Sequence, residues 1–354
     1  MLPGDIGAAL APAIDALGAP RLPGRRQAGA AGTWRPGPAG MPGSYSSSLP
    51  FPLAARTGRG ARDVAALLAA GLGGRDWISE ASVTGAGYLT VTVTDDALAG
   101  LAVRVACAGA ACARGDALRG LSLRAPRDAD LATAPTWTEA RRRLAAMVTG
   151  RLARAAGARV IFHPDSERIA AAGPAATLAP GPAGPAIAFA GADAVRYALA
   201  RVPAGRAASI DAGKSVRHVL GNPFYAVSFA HADASATAGR AAGLGLSRGE
   251  AAGFAPRLLA RQAERRLLGL ISWLPERVAG AARRRQPHEL TRYLEELAGA
   301  YLDAIESCPA LPRRGRLAPR DAATASARLW LADATAAALA AGLELLGVRA
   351  PARP

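Results

Sequence analysis

The chain has 354 residues, of which 51% are hydrophobic and 20% charged, and its formal net charge is +16. That length and apolar content are enough for two or three packed domains and exclude a disordered chain. The positive excess points to a polyanionic partner such as nucleic acid, discounted because Lys214 is the single lysine among 43 basic residues and arginine rises together with Ala, Gly and Pro, as GC-rich coding produces.

An alanine-rich helix is predicted over Ile6–Leu17, followed by a Gly/Pro/Arg segment, Pro20–Gly43, read as a loop. Arg62–Leu72 is amphipathic, with Val64, Leu67, Leu68 and Leu72 on one stripe. Ile78–Val83 and Tyr88–Thr94 alternate around Gly85-Ala86-Gly87, the pattern of a β-hairpin. Ala140–Gly157 reads as a helix with Leu144, Met147, Val148 and Leu152 facing a core, and Ala170–Ala186 as a Pro/Gly/Ala linker without a basic residue. Cys107, Cys112 and Cys308 lack metal-ligand spacing and are expected to be small buried hydrophobes in a reducing cytoplasm. No basic segment followed by an apolar run opens the chain. Outside Ala/Gly-rich helix no charge-free apolar run reaches about 18 residues, so neither a signal peptide nor a membrane partner is expected.

The informative stretch is Ala186–Leu246. A helix opens after Gly191, with Asp193 in the first turn where the helix dipole favours a carboxylate, and it must stop before Pro203. A second helix has Asn222 as N-cap and Pro223 at its first position, where the missing N–H costs nothing. Phe224, Val227 and His231 share one face, and Tyr225 and Phe229 a neighbouring one. Gly213-Lys214-Ser215 is not a phosphate loop: Ala208 stands where such a loop needs glycine, and no strand precedes it. Beyond lie three predicted helices. The first is Phe254–Ala282, broken at Arg283-Arg284-Arg285-Gln286-Pro287; then come His288–Ile305 and Ala322–Leu346, the last ending at Gly347 with Pro351 beyond.

Asp193-Ala194-Val195-Arg196 resembles the DALR signature of the anticodon-binding domain of arginyl-tRNA synthetases, and Asn222-Pro223-Phe224-Tyr225-Ala226-Val227 with Phe229-Ala230-His231-Ala232 resembles that family's NPxYYVQYAHA helix. Ile210-Asp211 falls where the family carries a short acidic segment. The stretch from Pro287 to Tyr301 and the tail after Leu331 resemble later helices of the same domain, and residues 55–95 resemble the small domain that these synthetases place before their catalytic core. The resemblance implies a multi-domain α+β chain. It would comprise an α+β domain over residues 1–100, a reduced class I (Rossmann-type) remnant over 101–169, the linker 170–186 and an all-α anticodon-binding bundle over 187–354. Two family motifs are not found. Glu139-Ala140-Arg141-Arg142-Arg143 occupies the place of the HIGH pair, and no two of the four histidines (163, 218, 231, 288) are three apart. The Ala170–Ala186 linker fills the place of the KMSKS loop. HIGH histidines stabilise charge at the α-phosphate of ATP, and a run of arginines does not reproduce that geometry.

The function implied is binding of tRNA, of the arginine-accepting kind, in the cytoplasm, without ligation and hence without a cofactor; ATP enters only if the family's arginine–tRNA ligase activity is retained. Another synthetase or tRNA-using enzyme is a partner compatible with that role. Unstacked loop bases are held by aromatic stacking and base-edge hydrogen bonds, and stems through phosphates. By that analogy Asn222, Tyr225 and His231 are candidate base contacts, and Arg196, Arg217, Arg240, Arg283, Arg284 and Arg285 candidate phosphate contacts, with Asp193 and Pro223 as structural signature residues. Plainer readings stand beside these: Phe224, Val227 and Phe229 as core, His231 as a satisfied buried histidine, Asp193 and Arg196 as an ion pair. Replacement of the family's second Tyr by Ala226 and its Gln by Ser228 leaves open a protein-interaction subunit that no longer binds RNA.

Overall fold

The computed structural model describes residues 2–18, 34–37, 41–163, 181–311 and 319–351. The chain divides into two compact units whose segments alternate along the sequence. Unit 1 takes Met1–Ala108, Thr237–Glu276 and Asp303–Ala334, and unit 2 takes Gly109–Ala236, Arg277–Leu302 and Thr335–Pro354. The serial boundaries expected from the sequence cut the chain into successive pieces, whereas the helices after residue 236 are shared between the units.

In unit 1, α1 (Pro3–Ala16) precedes β1 (Trp34–Pro36) and β2 (Ser44–Ser47), followed by α2 (Pro50–Thr57) and α3 (Ala61–Ala70). The hairpin β3 (Ile78–Thr84) and β4 (Tyr88–Val93) then leads to α4 (Asp95–Ala99) and α5 (Leu101–Ala108). The strands form one antiparallel sheet in the order β1-β2-β4-β3. The hairpin matches its sequence pattern because Gly85 and Gly87 supply the positive φ angles, 53° and 127°, that its tight turn needs. Val64 and Leu68 of α3 and Leu72 beyond it are fully buried, whereas Leu67, expected on the same stripe, is 43% exposed. Of the loop expected over Pro20–Gly43, residues 20–33 and 38–40 lie outside the described residues, and Trp34–Pro36 is an edge strand rather than loop. Ile6, Leu10, Leu89, Val91, Leu98 and Leu101 complete the core.

The helix expected over Phe254–Ala282 is instead one 3-10 turn, Pro256–Leu258, followed by α11 (Gln262–Ile271) and α12 (Leu274–Arg284). Ser272 and Trp273 interrupt it, and the Ser272 hydroxyl donates to the Gly269 carbonyl at 2.6 Å. Pro275 restarts the helix within its first turn, where proline is tolerated. Trp273 packs on Tyr45 with ring centroids 5.4 Å apart, and burial pushes the Tyr45 phenol up to about 12. Glu264, 1% exposed, is satisfied by Arg328 Nε at 2.6 Å and the Arg261 N–H at 2.9 Å.

In unit 2 a 3-10 turn, Gly109–Ala113, precedes β5 (Ser122–Pro126), α6 (Trp137–Ala155) and β6 (Arg159–His163). The strands are parallel, Ser122 opposite Arg159 through Pro126 opposite His163, so the helix is the crossover of one βαβ unit, the smallest piece of a doubly wound sheet. Gly150 lets α6 lie close on this pair: a Cβ there would overlap the Ala125 Cβ. Leu144, Met147, Val148 and Leu152 are buried, as their spacing predicts. Residues 164–180, and with them most of the expected linker, lie outside the described residues; its end, from Ala183, starts α7 (Ala183–Ala190). There follow α8 (Ala192–Arg201), the short α9 (Ala212–Ser215) and α10 (Pro223–Ala242), whose residues from Thr237 count to unit 1. Beyond them come α13 (Pro287–Ser307) and α14 (Pro319–Leu346), both divided between the units. Gly347, at φ 76°, closes α14, with Val348 and Gly347 N–H groups on the Leu343 and Glu344 carbonyls.

The cysteines differ from their expected burial: Cys107 is exposed and Cys112 and Cys308 are half-buried, all three free. Cys107 lies off the apolar face of α5, which Leu101, Ala102 and Val105 form. Burial still pushes the Cys112 thiol up to about 12. Two stretches, Asp95–Ala113 and Ala322–Leu346, are long and apolar enough by composition to cross a membrane. Asp95–Ala113 is interrupted at Gly100 and again at Gly109, and 67% of the most apolar window in Ala322–Leu346 is buried inside the protein.

Candidate nucleic-acid interface

Asp193, in the first turn of α8, accepts from Arg349 Nε at 2.9 Å and lies 3.8 Å from Arg196 Nη1. Arg196 Nη1 also donates to the Gly347 carbonyl at 3.3 Å, one of the carbonyls left over where α14 ends. One turn on, Tyr197 is buried with its hydroxyl 3.3 Å from Glu295 Oε1, and burial and the Glu295 charge push its phenol well above the ordinary range. Arg201 forks onto the same carboxylate at 2.7 and 3.1 Å.

The segment between α8 and α10 is fixed at two points. Asp211 caps α9 by accepting from the Lys214 N–H at 3.1 Å, and that bond holds its carboxyl below the usual range. Asn222 uses its whole amide. Its Oδ1 accepts from the Phe224 N–H at 3.2 Å, as an N-cap does, and its Nδ2 donates to the Ser215 and Arg217 carbonyls at 3.0 and 2.8 Å. Asn222 therefore positions the 215–217 loop rather than offering its amide to a ligand.

Tyr225 is half-buried and stacks on His218, the rings 5.3 Å apart and 11° from parallel, with Phe229 5.9 Å away. Phe224 turns inward onto Tyr197 at 5.5 Å, and Val227 is fully buried. His231 is 8% exposed; Nδ1 donates to the Pro351 carbonyl at 2.9 Å and Nε2 sits 3.4 Å from the Ser235 hydroxyl. Both ring nitrogens thus face protein atoms, and burial lowers the imidazole below its ordinary value. His218, Tyr225, Asp193 and the tail residues Arg349–Pro351 enclose a cleft of about 470 Å³. A second cleft of about 670 Å³ opens beside it, sharing Asn222 and Phe224, and its cations are Arg201, Arg206, Lys214 and Arg217.

The other candidates lie elsewhere. Arg240 is exposed in unit 1, with Nη2 2.8 Å from the Thr237 hydroxyl. Arg283, Arg284 and Arg285 are exposed where α12 ends; Arg284 grips Glu289 with Nε at 2.6 Å and with Nη2. Arg285 borders a separate cleft with Leu123 and His163. So Arg217, Asn222 and Tyr225 come together, with Asp193 and Arg196 beside them, and Arg240 and Arg283–Arg285 do not join them. His218 and Arg349 were missed from the sequence. A loop histidine and a tail arginine carry no local signal, and only the stack and the ion pair reveal them.

The helices of unit 2 thus set an aromatic stack in one cleft beside a second cleft lined by cations. Residues 238–353 match the DALR anticodon binding domain family, so this chain carries such a domain. It is 42% identical over 163 residues to an arginine–tRNA ligase of Clavibacter sepedonicus, covering 46% of this chain and 28% of the relative. To the arginine–tRNA ligase of Micrococcus luteus it is 44% identical over 163 residues, covering 46% and 29%. The matched region spans less than a third of these curated relatives. The fold is that of a Thermus thermophilus arginyl-tRNA synthetase, with a TM-score of 0.62 at 14% identity over 100% of both chains. The matched family range starts after Asp193–Arg196 and Asn222–His231, which contribute to the site from outside it.

Proposed function

We propose that the chain binds tRNA of the arginine-accepting kind through this helical region, in the cytoplasm, and does not ligate an amino acid. The observation that carries the reading is the His218–Tyr225 stack bordering one cleft, with exposed Arg206 and Arg217 in the next, beside Arg201 and Lys214, which also contact Glu295 and Asp211. Planar rings accept an unstacked base, and adjacent guanidinium groups accept the phosphates on either side of it. Similarity to arginine–tRNA ligases favours tRNA over other RNAs. The absence of ligation is supported by the first turn of α6. There Glu139 engages Arg142 at 2.7 and 2.6 Å and Arg143 at 3.0 Å, an internal ion network where synthetases of this family carry their HIGH histidines. Those bonds hold the Glu139 carboxyl below its usual range, the Arg142 hydrogen bond most of all.

Filter binding with arginine-accepting tRNA tests the first half. If about 6 phosphates are contacted, log affinity falls against log salt with a slope of roughly −4 to −5. Failure to retain tRNA in dilute buffer would refute tRNA binding and favour a protein-interaction subunit. ATP–pyrophosphate exchange with arginine tests the second half, and exchange above background would establish ligase chemistry instead.

A further inference from the structure

We propose that unit 2 holds a second anion site, remote in sequence from the aromatic stack, that takes the phosphate groups of a phosphorylated ligand. It is a cleft of about 750 Å³ bordered by Arg114, Arg127, Arg151 and Arg154, with Phe162 of β6 and Glu344 of α14 on its walls. Four guanidinium groups face one space against a single bordering carboxylate. Arg114, Arg127 and Arg154 are exposed, and none has an ion-pair partner among the described residues. Arg154 lies over the Phe162 ring, its Cζ 5.7 Å from the centroid, so that side chain is held in place without a counter-charge. Arg151 sits deeper. Its Nη1 donates to the Glu344 carbonyl at 3.3 Å, and Asp128, 3.8 Å away, is a distant partner on the exposed rim. Burial lowers the Arg151 guanidinium and the Arg196 charge adds to this, while the Asp128 and Glu344 charges offset it in part.

Guanidinium groups matched to phosphate oxygens bind them in pairs of parallel hydrogen bonds. Like charges gathered in one concave wall raise the local concentration of anions. The cleft is large enough for a mononucleotide-sized ligand. The site is built from the βαβ unit and the end of α14 and shares no residue with the clefts around Tyr225. It therefore stands whether or not the tRNA reading does.

Two probes distinguish the source of the phosphate: inorganic tripolyphosphate, and a short single-stranded RNA. Titration calorimetry on the full chain is run with wild type, an Arg114→Gln/Arg127→Gln variant and an Arg206→Gln/Lys214→Gln variant. The Arg114/Arg127 change is expected to weaken binding by about tenfold or more, as losing two charge-assisted contacts implies. In the Arg206/Lys214 variant, whose own cleft also accepts phosphate, the tripolyphosphate binding that the Arg114/Arg127 change removes should remain. Loss with both probes assigns the site to small phosphorylated ligands as well as RNA; loss with RNA alone assigns it to a nucleic-acid backbone. Wild-type affinity for both probes in the Arg114/Arg127 variant, or no binding of either probe by wild type, overturns the proposal. Both arginines are exposed, so thermal unfolding should confirm an intact fold, and Arg127→Gln alone serves if the double variant is unstable.

Discussion

At the scale of single residues the candidate interface separates groups that hold the site from groups that face its ligand. Tyr225 offers a partly open ring while Phe224 packs inward and Asn222 spends its amide on loop carbonyls. Tyr225→Ala should therefore lower RNA affinity by roughly 1–3 kcal/mol with little change in the urea midpoint. Asn222→Ala should cost about 1–3 kcal/mol of stability, read in the same pair of measurements. His231 gives a pH dependence. Its folded-state pKa lies below its ordinary value of 6.5, so the unfolded chain takes up the proton first. Stability is full above about 6.5 and falls as pH drops through the folded-state value, and His288, lowered by burial and by Arg292, acts in the same direction. Replacing His231 with Gln should flatten the acid limb of a stability–pH curve. Arg285 is the non-glycine residue at positive φ, 55°, among those described, closing α12 with the Arg285 and Gln286 N–H groups on the Ala282 and Ala281 carbonyls. Arg285→Gly should stabilise by roughly 0.5–1 kcal/mol, because glycine meets no Cβ penalty there.

Elements were legible where a local cause fixed them. Asn222-Pro223 announces the start of α10, Gly347 the end of α14, and Gly85 with Gly87 the hairpin turn. The single helix expected over Phe254–Ala282 failed because its apolar periodicity runs through Ser272 and Trp273, which tertiary packing against Tyr45 turns into a corner. Pro275 was the available signal. The βαβ unit depends on close approach rather than pattern. Gly150→Val should destabilise by about 1–3 kcal/mol through overpacking against Ala125, seen as a lower unfolding midpoint. In unit 1, Arg328→Ala leaves Glu264 buried without its cation and should cost about 3–5 kcal/mol, whereas Arg328→Met with Glu264→Leu should be close to neutral. Thermal unfolding of both variants checks the contrast.

For the whole molecule, composition announced an anion-binding surface but not its layout. The net charge of +16 is spread over helix ends, ion pairs and at least two separate basic clefts. Arg196, Arg201 and Arg284 look equivalent to Arg217 in the sequence, yet the first contacts the Asp193 carboxylate and the Gly347 carbonyl and the other two grip carboxylates. Arg196 and Arg284 find carboxylates three and five positions away, within reach of a local reading, whereas the Arg201 partner Glu295, 94 positions on, is set by tertiary packing.

The wall of the aromatic cleft formed by Arg349–Pro351 has a consequence for how the protein is made. Asp193 meets Arg349 across 156 positions and His231 meets Pro351 across 120. A ribosome that has released only the stretch through α14 has delivered the rings but not the wall that closes around them. Competence to hold a ligand there thus waits until the chain through Pro351 has emerged.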